Sequence, residues 1–146
     1  MAGKYLEEFV VGEVFTHEIR RTATETDNLL FSAMTYNPAA IHIDADYCAK
    51  HTEFGKPLVN SMFTFALMVG VSVGDTTLGT TIANLGYETV EFPKPVFVGD
   101  TLRSESTVVS VRPSNSKNDR GIVVFEHRSY NQRDELVAIC KRAALM

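Results

Sequence analysis

The segment Asn37-Pro38-Ala39-Ala40-Ile41-His42-Ile43-Asp44 gathers an amide, an imidazole and a carboxylate between two apolar stretches. An imidazole, with an ordinary pKa near 6.5, can take a proton from a water molecule and return it to a second atom at neutral pH. An amide beside it can orient that water by hydrogen bonding but cannot accept its proton. Asn37 precedes a proline, which disfavours the α conformation, so the preceding helix is expected to end there. Asn37 and His42 would then lie on an irregular overhang, where both side chains can converge on one small molecule. The plainer readings are that Asn-Pro is a common helix stop and turn starter, and that His42 is a satisfied structural histidine.

The elements that position this segment follow from patterning. Val14 to Arg21 mixes β-branched, aromatic and polar residues in rough alternation after a Val11-Gly12 turn signal and predicts a strand. Thr24 to Met34 predicts a short helix, because Leu29, Leu30, Ala33 and Met34 recur at helical spacing behind a threonine-rich start that can supply an N-cap. A second short helix is expected over Ala45 to His51, capped by Asp44 or Asp46 and stopped by Phe54-Gly55. Val59 to Val73 is apolar nearly all round, which predicts a helix buried on most sides, with Met62, Phe63, Phe65 and Met68 in the core. Four strand-like runs follow: Thr80 to Phe92, Thr101 to Arg112, Gly121 to Asn131 and Glu135 to Leu145, separated by turn-rich pieces such as Gly99-Asp100. One buried helix followed by antiparallel strands indicates an α+β domain in which a curved sheet wraps the helix, the hotdog fold.

Composition removes several function classes. The chain has 146 residues, suited to a single domain over 1–146, and its 45% apolar and 22% charged residues are those of a globular protein. A net charge of -4 without a basic stripe excludes a nucleic-acid partner. No run of about 18 apolar residues occurs, so no membrane partner is expected. Cys48 and Cys140 have no pairing framework and read as buried, reduced thiols of a cytoplasmic protein. His17, His51 and His127 lack ligand spacing, so no metal site is expected. Gly70, Gly74 and Gly79 form no phosphate-binding pattern.

The chain resembles the MaoC-like family of (R)-specific enoyl-CoA hydratases, in particular its single-hotdog members. The resemblance covers most of the sequence and rests on the order and spacing of three segments: Ile41-His42-Ile43-Asp44, Phe54-Gly55-Lys56-Pro57-Leu58-Val59-Asn60-Ser61-Met62, and Phe92-Pro93-Lys94-Pro95-Val96-Phe97-Val98-Gly99-Asp100-Thr101-Leu102. The family pattern Asp-x-Asn-Pro-x-His supplies a water-activating pair. With His42 at the family histidine, Asn37 stands at the family aspartate, and Ala39 and Ala40 at its Asn and Pro. A gapped match on Asn37-Pro38 would place Thr35 at the aspartate instead. Either way the carboxylate is missing. Ser61 stands where the family uses a glycine whose backbone N–H receives the oxyanion at the start of the buried helix, a role any residue's main chain can fill.

The resemblance therefore implies reversible hydration of a 2-enoyl-CoA, with His42 activating water, Asn37 positioning it and the Ser61 N–H polarising the thioester. Asn60, Asp44 and Lys56 are the candidates at the substrate, although Asn60 can equally cap its helix and Asp44 is favoured as the cap of the next one. No cofactor is implied, coenzyme A being part of the substrate. Phe54 to Val73 also looks like hydratases of short branched dicarboxylic acyl-CoAs, such as mesaconyl-CoA. A second carboxylate would want a cation, for which Lys50, Lys56, Arg20 and Arg21 are available. The rival readings are an acyl-CoA-binding or regulatory protein without catalysis and, less favoured, a thioesterase, which usually carries an acid on the central helix. A single sheet leaves an edge uncovered, so a homodimer with a shared pocket, or a higher homo-oligomer, is expected.

Overall fold

The computed structural model describes residues 3–146. Its elements are β1 (Val14–Thr16), β2 (Arg21–Thr22), α1 (Glu25–Met34), α2 (Ala40–Ile43), α3 (Ala45–His51), α4 (Ser61–Thr76), β3 (Ala83–Glu91), β4 (Thr101–Pro113), β5 (Gly121–Tyr130) and β6 (Leu136–Leu145). All pairings are antiparallel, in the order β1-β4-β5-β6-β3, with β2 also on β4. The sheet packs against α4, as the α+β reading requires.

The strand expected over Val14 to Arg21 is two short pieces. Thr16 faces Glu105 and Arg21 faces Leu102, so residues 17–20 oppose only Arg103 and Ser104, and the excess loops out. His17 turns inward from that loop and is buried. Downstream, the Thr24 hydroxyl accepts from the Asp27 N–H at 3.1 Å while the Asp27 carboxylate accepts from the Thr24 N–H at 2.8 Å, a reciprocal cap that starts α1. Asp44 caps α3 through the Tyr47 N–H at 2.8 Å. The turn before β4 needs Gly99, whose φ of 96° is open to glycine and strained for other residues.

Helix α4 begins later and ends later than expected, and it is not buried on most sides. Its fully buried residues are Thr64, Met68, Ser72 and Thr76, one stripe at four-residue spacing. Met68 packs on Ala138 and Cys140 of β6, and Phe63 and Leu67 lie against Val59, Val96, Leu102 and Val137. The sheet covers only that side. Met62, read as core, is 51% exposed, and Ala66, Gly70 and Gly74 on the same outward side are exposed too. Strand β3 is an edge with Leu85, Tyr87 and Val90 in solvent.

A polar row runs under the helix. Asp75, near the end of α4, accepts from His17 Nδ1 at 2.7 Å, and His17 Nε2 meets the Ser106 hydroxyl at 2.7 Å. Ser106 lies opposite His127 in the β4–β5 register, and its Oγ is 2.6 Å from His127 Nδ1. Burial, assisted by the positive charge of Arg142, pushes the His127 pKa down to about 3. Cys140, opposite His127 on β6, is pushed up to about 11 by the same desolvation. Both cysteines are buried and unpaired.

Candidate active site

The overhang is more ordered than its sequence suggests. After Pro38 the chain forms one helical turn, α2, which carries His42. The Asn37 side chain starts that turn, its Oδ1 accepting from the Ala39 N–H at 3.0 Å, while the Asn37 N–H donates to the Ser32 carbonyl at 2.9 Å. Asn37 lines an apolar surface groove with Leu29, Tyr36 and Ile43, whereas His42 lines a cavity at the start of α4 and a smaller hollow that shares Leu29 and Ile43 with that groove. The two residues expected to share one water thus border adjoining hollows, and the Asn37 side-chain oxygen is engaged by the Ala39 N–H.

His42 lies at a cavity of about 360 Å³ together with Ser61, Thr64 and Lys94, the remaining walls being largely apolar. Its Nδ1 is 2.9 Å from the Leu58 carbonyl oxygen, and a carbonyl only accepts, so Nδ1 carries the proton. In the neutral ring Nε2 is then left with its lone pair. Leu58 is itself tied down, because its N–H donates to the Ile41 carbonyl at 2.9 Å and it bridges to Phe97.

The start of α4 forms another part of the cavity wall, through Ser61 and Thr64. The Phe63 and Thr64 N–H groups both donate to the Asn60 carbonyl, and the Met62 N–H donates to Asn60 Oδ1 at 3.0 Å. Among the described residues the Ser61 N–H has no acceptor, which makes it the free donor at this helix end. Asn60 is therefore a cap, buried, with its amide nitrogen 3.3 Å from Ser32 Oγ. Asp44 is occupied in capping α3.

One side chain that sequence reasoning missed joins all of these pieces. Asn28, 1% exposed, donates from Nδ2 to the His42 carbonyl at 3.0 Å and to the Leu58 carbonyl at 2.9 Å, and its Oδ1 accepts from the Asn60 N–H at 2.8 Å. The amide on α1 thereby holds the histidine turn, the carbonyl that orients its ring and the helix cap. Its partners lie 14 to 32 residues away, and nothing in local patterning marks them.

Of the suggested cations, Lys50 pairs with Asp46, and Arg21 pairs with Asp27, whose carboxyl it holds down to about 2. Arg20 is exposed. Lys56 lies over the Phe97 ring at 4.3 Å and borders a second, smaller cavity that also reaches His42. Lys94, not singled out from the sequence, borders the main cavity directly. Among the described residues no group of three His, Cys, Asp or Glu side chains could hold a metal, and no helix is long and apolar enough to cross a membrane.

A curved antiparallel sheet on one central helix, with a histidine overhang against that helix's N-terminus, defines a hotdog-fold domain. The MaoC-like domain model matches residues 8–129, and the chain belongs to that family. It is 35% identical over 136 residues to the mesaconyl-CoA hydratase of Cereibacter sphaeroides, covering 93% of this chain but 39% of that protein. The chain thus spans well under half the length of this curated relative. The X-ray structure of a monoamine oxidase regulatory protein from Archaeoglobus fulgidus superposes with a TM-score of 0.88 at 32% identity, covering 100% of this chain and 95% of the other. A Mycobacterium tuberculosis protein described as having a double hotdog fold shares the fold, with a TM-score of 0.87 at 24% identity, and this chain covers 99% of itself and 44% of that protein.

Proposed function

We propose that this protein is a hydro-lyase that reversibly hydrates a 2-enoyl-CoA, the acyl group being short and branched or dicarboxylic. The observation that carries the reading is the Nδ1 contact of His42 with the Leu58 carbonyl, which leaves Nε2 free to act as a base, in a residue that lines one cavity with Ser61. In the hydration direction Nε2 takes a proton from water as its oxygen bonds to C3 of the enoyl group. The C2–C3 π electrons move toward the thioester, whose oxygen gains charge beside the Ser61 N–H and the positive end of α4. The proton on Nε2 then passes to C2 as the enolate collapses, so one water has been added and the histidine is restored.

In this scheme His42 and the Ser61 N–H act on the substrate, while Asn37, first expected to hold the water, sets the turn that carries His42. Asn60 and Asp44 act through their caps. Lys94 and Lys56 are the cations within reach of a phosphate or a second carboxylate. Coenzyme A enters as part of the substrate, and the scheme uses no separate cofactor. The similarity to a mesaconyl-CoA hydratase supports the dicarboxylic subclass. The share of the longer relatives that this chain spans supports a homodimer, in which a second copy takes the place of their remaining half. The two buried, unpaired cysteines fit a reducing, cytoplasmic setting.

Crotonyl-CoA and mesaconyl-CoA test the reading through loss of enoyl thioester absorbance. The parent protein is expected to turn over at least one of them, and His42→Ala to lose about 10²–10⁴-fold in kcat/KM with an unchanged circular dichroism spectrum. A parent that binds these thioesters without converting them would make this an acyl-CoA-binding protein instead.

A further inference from the structure

In the hydratase reading His42 anchors the water, while the Asn37 oxygen is taken by the Ala39 N–H and its side chain borders a neighbouring groove. The buried stripe of α4 contains three hydroxyls in one chemical setting, which allows a comparison. Thr76 Oγ1 bonds back to the Ser72 carbonyl at 2.6 Å, and Ser72 Oγ to the Val69 carbonyl at 2.7 Å. Such back-bonding is the usual way a helix satisfies a buried hydroxyl. Thr64, on the same stripe and 1% exposed, does not do this, and its Oγ1 has no hydrogen-bond partner among the described residues. It differs from the other two in bordering the cavity that His42, Ser61 and Lys94 share.

A buried hydroxyl without a partner is destabilising, and replacing it by an apolar group of the same shape is close to neutral or stabilising. A threonine at this place is thus unfavourable for folding alone, while the adjoining space is where the reaction is proposed to occur. We infer that Thr64 is a second catalytic residue, its hydroxyl hydrogen-bonding the water added at C3, or the 3-hydroxyl group in the reverse direction. This role rests on the hydratase reading. In hydration Thr64 Oγ1 accepts the water hydrogen that is not transferred, His42 Nε2 takes the other, and a lone pair of the water oxygen is left for C3. Thr64 gains and loses no proton in this step, so the atom balance given above is unchanged. It supplies positioning where the family pattern has a carboxylate and this chain has none.

The test uses the parent, Thr64→Val and Thr64→Ser with whichever enoyl-CoA the parent converts. Thr64→Val keeps the shape and removes the hydroxyl, and is expected to lower kcat about 10–100-fold with KM within about threefold, because the contact acts on the water and not on the thioester. Its melting temperature is expected to equal or exceed the parent's, which separates this role from a structural one. Thr64→Ser restores the hydroxyl and is expected to recover kcat to within about threefold of the parent. An active parent whose Thr64→Val variant keeps full kcat overturns the role of Thr64 and leaves the hydratase reading standing. So does a Thr64→Val variant that loses kcat only together with its melting temperature. A parent inactive on every enoyl-CoA overturns the hydratase reading and this role with it.

Discussion

Asn28 has two N–H directions and a carbonyl oxygen, and all three are bonded to parts of the site separated by long stretches of chain. Asn28→Asp keeps an oxygen for the Asn60 N–H but replaces the donor to the His42 and Leu58 carbonyls by a second acceptor. Leaving buried groups unpaired in this way costs about 1–3 kcal/mol each. The variant is expected to unfold at lower denaturant and to lose at least about tenfold in kcat. Long-range 1H–15N spectra are expected to show His42 protonated on Nδ1 in the parent and in both tautomers in the variant; an unchanged tautomer would limit Asn28 to stability. Residue by residue, the legible part of the proposed site is the part with a local signature. His42 could be found from its motif and the Ser61 N–H from its place at the helix start. Asn28 and Thr64 could not, since an Asn inside a helical pattern and a Thr among apolar residues differ from their neighbours only through distant contacts. Asn37 was legible as a polar group before a proline, but its direction depends on a turn that side-chain chemistry alone does not reveal.

Elements were read best where one local rule decides them. Helix α3 occupies Ala45–His51 as the capping aspartate and the Phe54-Gly55 stop imply, and β4, β5 and β6 fall within a residue of their expected limits because turn residues bound them. Helix α2 was invisible, since four residues show no periodicity, and the looped-out segment between β1 and β2 needs knowledge of β4. Strand β5 also carries the clearest pH prediction. His127 is buried and neutral with a pKa near 3, below the 6.5 of an exposed imidazole, so the unfolded chain binds more protons between those values. The stability this neutral ring contributes is complete above pH 6.5 and is lost as pH falls toward 3. Melting temperature is expected to fall over that window, and His127→Asn, which has no imidazole to titrate, is expected to show a shallower fall. Identical slopes in the two proteins would assign the acid sensitivity to carboxylates.

For the molecule as a whole, edge strand β3 and the outward side of α4 are two of the uncovered surfaces, and both carry apolar residues in solvent. An unpaired edge of this kind invites a second chain. Sedimentation is expected to give a dimer at micromolar concentration, and Leu85→Lys with Val90→Lys is expected to shift it toward monomer and to lower activity. A stable and fully active monomer would rule out a pocket shared between copies.

The row from Asp75 through His17 and Ser106 to His127 also bears on how the chain finds its alignment. Each member comes from a different segment: the end of α4, the loop after β1, β4 and β5. A strand displaced by one residue swaps its inner and outer faces. Slipping β5 by one place along β4 would put Glu126 or Arg128 where His127 stands, and Ser106 would face a charge in place of an imidazole. Among interchangeable aliphatic neighbours such an error would be cheap, whereas here it strands several polar groups at once. The row therefore acts as a proofreader of strand alignment, and a core rebuilt there from valine and leucine is expected to tolerate misaligned sheets that this sequence rejects.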